Sequence, residues 1–416
     1  MRDRARTTVV IVAALTLLAF PHDAWAAPGD VDLTFGFDGV ATDFSACGGS
    51  CTDPADVTVL ADGRLLQVGS VATESLPYFG IHTAALTFTD DGTFDGYGFA
   101  ASPGYLNAQR AVAPLPDGGA VTAGWGFRCL DGLDPCTLSR RFFLVASYLS
   151  DGSPNPAFDD DGAVLTYMGP VDAVANGVAV QDDGKIVVAG GFADAAGDPS
   201  VAVVRYLADG SRDPAFGVDG RVILPGGTAT DVEVTGGGKI VVAGQASPTG
   251  FLVDRLLPDG SPDPDFGVDG RVVVPFGDQF AGANDVVVRP AKILLGGWLD
   301  GNDGAGGMVR KMALVRLLPS GEPDAEFHDD GRVLSRFPDG EAWVDEVVVT
   351  DDFRIVAAGS FGVARFLRTG RRDRSFGEDG RVWLPWRIEG VTEQGADVVV
   401  GIAHGDYGMA LARILL

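Results

Sequence analysis

The chain has 416 residues and a formal net charge of −26, from 57 Asp and Glu against 31 Lys and Arg. A protein this acidic is a poor partner for nucleic acid or anionic lipid, and the charge is typical of an exported protein that must stay soluble. The length exceeds what one ordinary hydrophobic core holds, which leaves several domains or one large repetitive domain.

The first 26 residues have the composition of a secretory signal peptide. Met1–Arg6 carries three Arg, Thr7–Phe20 is an apolar run too short for a comfortable membrane span, and Ala24-Trp25-Ala26 has the small residues of a cleavage site. An uncleaved membrane anchor is the alternative, but Pro21 interrupts the segment directly after the run. We predict a mature chain of residues 27–416, secreted or periplasmic, with no membrane span after cleavage.

From residue 29 onward one module recurs seven times, at intervals of 49 to 63 residues. In six copies a Phe follows the marker residue three positions later, and an Asp-Gly pair usually comes next. A period of this length with only strand signals is typical of propeller blades, because such a unit must stack on neighbours to bury its faces. The markers are Asp32, Asp95, Asn155, Asp213, Asp263, Asp324 and Asp373, and the Phe residues are Phe35, Phe158, Phe216, Phe266, Phe327 and Phe376.

The unit from Phe216 to Asp263 divides into four predicted strands. They are Arg221–Leu224, Asp231–Val234, Lys239–Gly244 and Phe251–Leu257, separated by Gly-rich or Asp-Gly turns. Such turns supply the positive φ of tight hairpins, so the unit predicts a four-stranded antiparallel meander.

The third strand of the unit is almost wholly apolar in every copy, as in Ile240–Ala243. Strands of this kind are buried on both faces, which a blade packed between two neighbouring blades requires. A small pair such as Ala243-Gly244 usually closes the strand and predicts a close backbone approach near the axis.

The ends of the chain predict how the ring closes. A strand near Val40–Phe44 can complete the last sheet beside Met409–Leu415, so that no sheet edge stays open. The fold prediction is therefore all-β, a single closed β-propeller with seven four-stranded antiparallel blades. The degenerate second copy leaves six or eight blades as alternatives.

The pattern L-x-D-G-S-x-D-x-x-F-G-x-D-G-R-V, followed by D-V-x-V, G-K-I-V-V-A-G and V-x-R-Y-L, closely resembles the delta-60 repeat. This propeller-type module occurs in tandem in exported bacterial proteins. The resemblance covers residues 29–416 and is most specific in the fourth and fifth copies; the second departs, with Gly98 where Phe is expected. It implies a propeller fold and export, and it implies no reaction.

Asp residues recur in the turns and raise the question of calcium. Asp209, Asp213 and Asp219 lie close together in a Gly-rich connection, and Asp300–Gly304 is similar. Asp in turns hydrogen-bonds its own backbone without any ion, and no D-x-D-x-D-G loop is present, so we favour turn capping over calcium sites.

Arg also recurs, in the fourth predicted strand and after the Asp-Gly pair. One interpretation is a ring of cations for an anionic ligand. The favoured one pairs each Arg with a motif Asp and so fixes the geometry between blades, with the motif Phe as a core anchor. The residues are Arg205, Arg255, Arg316, Arg365 and Arg413, and Arg221, Arg271, Arg332 and Arg381.

Four cysteines form two close pairs, Cys47 with Cys51 and Cys129 with Cys136. In an oxidising compartment we expect disulfides, with local pairing as the simplest connectivity. A metal site is the weaker alternative, because no His lies near either pair and neither has the C-x-x-C spacing of zinc sites.

The long connections concentrate on one predicted face of the ring. Aromatic side chains occur there, and both cysteine pairs map to the same face. Variable loops on a rigid scaffold are a common place for binding, although simple loop drift would give the same pattern. The ligand-face candidates are Tyr78, Phe79, Trp125, Phe127 and Trp298.

Catalytic motifs are scarce: the mature chain has three His, and no G-x-S-x-G, H-E-x-x-H or phosphate-binding loop. We therefore predict a non-enzymatic scaffold that binds a protein, a glycan or a surface, without cofactor or catalytic residues. The alternative is a hydrolase or lactonase-like enzyme with a metal in the central channel, held by inward-facing carboxylates from several blades. A purely structural role with self-association is the third hypothesis.

Overall fold

The structure is a computed structural model. It describes residues 27–36, 40–42, 51–73, 80–100, 107–129, 139–169, 171–194, 196–302, 308–335, 341–360, 362–404 and 408–416. The described chain forms 28 β-strands in seven four-stranded antiparallel sheets, and contains no helix that is long and apolar enough to cross a membrane. The predicted signal peptide, residues 1–26, lies outside the described residues.

Six blades are consecutive meanders, and the seventh combines both ends of the chain. Blade 1 comprises β2 (Cys51–Val59), β3 (Leu65–Thr73), β4 (Gly80–Phe88) and β5 (Phe94–Ala100); blade 2, β6 (Asn107–Pro114), β7 (Ala120–Cys129), β8 (Ser139–Tyr148) and β9 (Ala163–Thr166); blade 3, β10 (Ala173–Val180), β11 (Ile186–Ala193), β12 (Pro199–Tyr206) and β13 (Arg221–Pro225); blade 4, β14 (Gly227–Val234), β15 (Ile240–Ala246), β16 (Phe251–Leu256) and β17 (Arg271–Val274). Blade 5 comprises β18 (Ala281–Arg289), β19 (Lys292–Asn302), β20 (Met308–Leu317) and β21 (Arg332–Ser335); blade 6, β22 (Val344–Val349), β23 (Ile355–Gly359), β24 (Gly362–Phe366) and β25 (Arg381–Trp383); blade 7, β26 (Arg387–Gln394), β27 (Asp397–His404), β28 (Gly408–Ile414) and β1 (Val40–Thr42).

The blades form a ring, because each innermost strand contacts the innermost strand of the next blade and β26 returns to β2. Strand β1 closes the ring by pairing with β28, with Val40 opposite Ala412 and Thr42 opposite Ala410. The predicted seven-bladed propeller and its closure by the N-terminal strand are thus confirmed. The first and last strands of the described chain, β1 and β28, are therefore both paired within one sheet.

The predicted grouping of strands into one sheet is wrong by one strand. Arg221–Pro225 pairs with β12 of blade 3, and not with the strand that follows it in sequence. The sequence unit therefore begins on the outermost strand of one blade and continues into the next blade. Periodicity gives the length of the unit, but it does not show which of two similar turns crosses between sheets.

The second and third strands of each blade form the core. Ile240–Ala243 is fully buried, as predicted, and packs between the sheets of neighbouring blades. The six motif Phe side chains have no exposed surface, which confirms them as core anchors. Burying a side chain of this size stabilises the fold by about 1.5–3 kcal/mol.

Five of the six motif Asp lie beside an Arg at the end of the third strand of their blade. Arg255 Nε donates to Asp263 Oδ2 at 2.6 Å, its guanidinium lies 4.5 Å from the centroid of Phe266, and its Nη1 donates to the carbonyl of Pro319 in the next blade. The favoured structural interpretation is confirmed for the Arg of the fourth predicted strand, but not for those after the Asp-Gly pair: Arg271 pairs with Asp254, and Arg332 donates to the carbonyl of Pro275. The five Arg–Asp pairs, as they are called below, are Arg205–Asp213, Arg255–Asp263, Arg316–Asp324, Arg365–Asp373 and Arg413–Asp32.

Every innermost strand contains a β-bulge, where one extra residue interrupts the register with its neighbour. The bulge explains the glycine near the end of the second strand of each blade, which is the third strand of the repeat unit. A Cβ at Gly190 would lie 2.1 Å from the carbonyl oxygen of Val174, and one at Gly244 would lie 2.0 Å from that of Thr228. The close approach predicted for these glycines is therefore real, and its cause is the bulge in the adjacent strand.

Candidate functional site

Four carboxyls from four blades surround the axis of the ring. They follow the bulge residues of β2, β14, β18 and β22, and are called the axial carboxyls below. The bulge residues themselves form a second, mostly polar ring on the innermost strands. The axial carboxyls are Asp56, Asp231, Asp285 and Glu346, and the bulge residues are Ala55, Arg110, Asn176, Thr230, Asn284, Asp345 and Glu389.

Each axial carboxyl connects its blade to the next one. Asp56 Oδ2 accepts the backbone N–H of Val112 at 2.8 Å, and Asp285 Oδ2 accepts that of Val347 at 2.6 Å. The carboxyls thus satisfy amides that the bulges leave unpaired in the next inner strand. In the same way Asp231 accepts the amide of Val286, and Glu346 that of Val391.

The axial carboxyls hold their protons more tightly than ordinary acids. Burial raises the pKa of Asp56 to about 7, although hydrogen bonds from backbone amides oppose the shift. Burial, followed by the negative charges of Asp56 and Asp285, raises the pKa of Glu346 well above its usual value. Burial, the charge of Asp285 and a hydrogen bond to its carboxyl do the same for Asp231. At neutral pH the ring therefore carries fewer charges than four free carboxylates would.

Three bulge residues make a matching set of contacts with the carbonyls of the next blade. Asn176 Nδ2 donates to Ala229 O at 2.7 Å, and Asn284 Nδ2 donates to Val344 O at 2.6 Å. Thr230 Oγ1 donates to a carbonyl of the next blade at 2.9 Å. These three side chains hold neighbouring inner strands together, so this part of the bulge ring has a structural role.

The connections between blades and those between second and third strands share one face of the ring, called the long-connection face below. A first cluster on this face lies on blade 2. Arg141 stacks its guanidinium 4.9 Å from the ring centroid of Trp125 and 5.5 Å from that of Phe127. The two rings contact each other edge to face, with centroids 5.1 Å apart. Trp125 and Phe127, both predicted as ligand-face residues, thus form one unit with an arginine.

A cavity of about 380 Å³ opens between blades 2, 3 and 4 on the same face. The exposed bulge residue Arg110 lines it from blade 2, Asn176 and Phe192 from blade 3, and Thr228 from blade 4. Its size matches a small polar molecule.

A second aromatic cluster joins blades 5, 6 and 7. Arg310 lies 4.4 Å from the ring centroid of Trp298 and 5.7 Å from that of Trp343, and Arg387 lies 5.8 Å from Trp343 on blade 7. Asp300 holds Arg310 in place through two hydrogen bonds of 2.7 and 3.1 Å. Rigid, partly exposed tryptophans beside fixed guanidinium groups form a surface suited to binding.

The structure describes only some of the other residues that were predicted for this face. Tyr78, Phe79, Cys47 and Cys136 lie outside the described residues, so both disulfides remain predictions.

Sequence reasoning missed the axial carboxyls, Arg110 and Trp343. A signal was present for the carboxyls, since an acidic residue precedes Val at the same point of four repeats: Asp56-Val57, Asp231-Val232, Asp285-Val286 and Glu346-Val347.

The turn aspartates have local partners. Asp209 Oδ1 accepts the amide of Ser211 at 2.9 Å and its hydroxyl at 2.6 Å, which confirms turn capping at this position. Asp213 pairs with Arg205, whereas Asp219 pairs with Arg212. The three carboxylates do not share a ligand position.

A family model described as "Domain of unknown function (DUF5122) beta-propeller" matches residues 181–216 and 238–266. The match falls on the third and fourth repeats and supports a propeller repeat family. No curated protein sequence matches this chain.

The ring is similar to solved propellers of different kinds. A streptogramin B lyase is 11% identical with a TM-score of 0.52, over 89% of this chain and 95% of the lyase. The WD40 β-propeller domain of Doa1 is 12% identical with a TM-score of 0.51, over 91% of this chain and 97% of that domain. At these identities the similarity shows the propeller fold alone.

Proposed function

We propose that this protein is an exported, non-enzymatic binding propeller that holds its ligand on the long-connection face. A glycan is the ligand class that suits this face best. Sugar rings have an apolar C–H side that packs on aromatic rings and polar edges that accept hydrogen bonds from guanidinium groups. The resemblance to the exported delta-60 repeat and the leader-like residues 1–26 support the location.

The observation that carries the proposal is the cluster of Trp298, Arg310, Trp343 and Arg387. Three blades contribute to it, and Asp300 fixes the orientation of Arg310. A purely structural arginine would be buried among its partners, as in the Arg–Asp pairs. Here the guanidinium groups and indole rings keep part of their surface exposed.

The test is a glycan-array and tryptophan-fluorescence screen of the mature protein against Trp298→Ala. We expect the variant to lose affinity at least tenfold, because a truncated aromatic anchor costs about 2 kcal/mol or more. Phe353→Ala is the matched control, since Phe353 is 64% exposed in the turn between the first and second strands of blade 6, on the opposite face of the ring. A ligand that loses affinity equally with both variants, or with neither, contradicts binding at this face.

The second candidate function is a metal-dependent hydrolase or lactonase-like enzyme with an axial site. The observation in its favour is that carboxyls from four blades do surround the axis, with raised pKa values of the kind found at catalytic sites. Against it, the axial carboxyls already accept hydrogen bonds from backbone amides of neighbouring blades, which gives them a structural role. In the described ranges, no group of three His, Cys, Asp or Glu has the geometry to hold a metal ion.

Thermal unfolding in EDTA and then in millimolar calcium separates the two functions. A ligand of the folded state raises the midpoint by mass action. A rise of several degrees that Asp285→Asn abolishes would support an axial metal site, whereas an unchanged midpoint leaves the binding function as the better explanation.

A further inference from the structure

The cavity between blades 2, 3 and 4 contains an exposed cation. Arg110 lines it, and in the part of the chain that the structure describes no carboxylate forms an ion pair with this guanidinium, although the negative charge of Glu389 acts on it and opposes the lowering of its pKa. Every Arg of the Arg–Asp pairs, by contrast, has a carboxylate partner. An unpaired cation on a rigid inner strand is an unusual feature in so acidic a protein.

A second guanidinium adds to the positive charge at this position. Arg141 is close enough that its charge, after burial, lowers the pKa of Arg110. The Nε of Arg141 is itself buried and has no hydrogen-bond acceptor among the described atoms. Among the described residues its ion-pair partner is Asp172, which lies 3.9 Å away and is more than half exposed. Two neighbouring guanidinium groups, opposed only by the distant charge of Glu389 and the exposed carboxylate of Asp172, favour an anion from outside the chain.

The remaining walls suit the polar and apolar parts of a sugar-sized molecule. Phe192 provides an apolar wall, while Thr228 and Asn176 provide polar groups. The Nδ2 of Asn176 is already bound to the carbonyl of Ala229, which fixes the side chain and leaves its Oδ1 as an acceptor for a hydroxyl. A cavity of about 380 Å³ lies at the small end of ligand sites.

The net charge of the protein limits the charge of the ligand. At −26 the chain repels polyanions, and two of the bulge residues, Asp345 and Glu389, are themselves acidic. A single carboxylate matches the planar fork of a guanidinium through two parallel hydrogen bonds.

We infer that this cavity is a binding site for a small polar monocarboxylate of the uronic-acid type, whose carboxylate pairs with Arg110. The inference rests on the proposed binding function and defines its ligand chemistry. It makes the cavity the subsite for an acidic sugar, next to the aromatic surface of blade 2.

The test is calorimetric titration of the mature full chain with D-galacturonate, D-galactose and D-galactose 6-phosphate. We expect binding of galacturonate, at least tenfold weaker binding of galactose, and no preference for the dianionic phosphate. The Arg110→Gln variant should weaken galacturonate binding about 10- to 100-fold, because hydrogen bonds to a charged partner are lost. The same variant should leave galactose binding unchanged.

Arg374→Gln is the matched control, because Arg374 is an exposed arginine beside Asp379, between the third and fourth strands of blade 6 and away from the cavity. Equal binding of galactose and galacturonate, or no heat with galacturonate up to about 10 mM, overturns the inference. So does an Arg110→Gln variant that binds galacturonate as the wild type does.

The two proposals fail in different ways. If Trp298→Ala reduces glycan binding while galacturonate is not bound, the long-connection face binds its ligand without the cavity, and only the inference is wrong. If galacturonate binds through Arg110 but Trp298→Ala has no effect on any glycan, the cavity is a site and the wider binding surface is wrong.

Discussion

Two sets of carboxyls help to connect neighbouring blades, the axial carboxyls directly and the motif Asp through their Arg partners, and their electrostatics are opposite. Asp263, in an Arg–Asp pair, has no exposed surface and accepts hydrogen bonds from Arg255 at 2.6 Å and Lys239 at 2.7 Å. Burial alone would raise the pKa of Asp263, but the hydrogen bonds and the positive charges outweigh it and lower the pKa. Asp231, among the axial carboxyls, pairs with no cation in the described chain, and its pKa is raised. The comparison shows that partner charge, and not burial, decides the protonation state here.

The largest expected effect is on the Arg–Asp pairs. Asp263→Asn leaves Arg255 and Lys239 without a negative partner in a buried site, so we expect a loss of about 3–5 kcal/mol in the free energy of unfolding. The measurement is chemical denaturation at pH 7, followed by circular dichroism.

Asp379→Asn is the control for this prediction. Asp379 pairs with Arg372 and Arg374 on the surface, where the carboxylate is about half exposed. A surface pair contributes at most about 1 kcal/mol. Equal losses in both variants would show that burial of the Arg–Asp pair adds nothing.

The next effect is a loss of stability as the pH rises. The folded pKa of Asp56 is about 7, above the ordinary value of about 4, so between these values the folded state binds more protons than the unfolded state. The stabilisation by protonated Asp56 is therefore fully present below about pH 4 and is lost as the pH rises through 7, and the raised pKa values of Asp231, Asp285 and Glu346 act in the same direction. We expect a decrease of about 2–4 kcal/mol between pH 4.5 and pH 8, measured by denaturation at constant ionic strength.

The Arg–Asp pairs act in the opposite direction at lower pH. The pKa values of Asp263, Asp324 and Asp373 are lowered, because hydrogen bonds and positive charges outweigh burial. Their stabilisation is present above about pH 4 and is lost as the pH falls through their folded pKa values. The two sets together place the stability maximum near pH 4–5, and a maximum at pH 8 would contradict the raised axial pKa values.

The smallest effect has the opposite sign to the first. An Asn at position 231 resembles a protonated Asp, because its carbonyl can accept the amide of Val286 and its amide can donate to Asp285. We therefore expect Asp231→Asn to stabilise the protein by about 1 kcal/mol at pH 8 and to have little effect at pH 4.5. The same denaturation series on this variant measures both values. A destabilised variant at pH 8 would mean that Asp231 is ionised in the folded protein.

The fold was predictable from the sequence because each repeat contains its own turn and strand signals. Asp-Gly turns, apolar middle strands and the motif Phe recur at fixed offsets, and the spare strand near Val40 indicated the closure. The Arg–Asp pairs were predictable for the same reason, since Arg255 and Asp263 recur as a set eight residues apart.

The candidate site was less predictable, because its members belong to different blades. Trp298, Trp343 and Arg387 are separated by tens of residues, and only the ring brings them together. The bulges were missed because an extra residue in a strand leaves no mark in a pattern of apolar residues. Without the bulges, the acidic residues of the inner strands look like the solvent side of an ordinary strand.

The pairing of β1 with β28 sets the order in which the chain can fold. The outer strand of blade 7 is β1, residues 40–42, whereas the other three strands of this blade, β26 to β28, lie at the opposite end of the chain and finish at Ile414. Blades 1 to 6 need only neighbouring sequence and can form as the chain emerges, whereas the last sheet must wait for the C-terminal residues. The first of the described strands to be synthesised is thus the last to find its partner, which delays ring closure until the whole propeller has been synthesised.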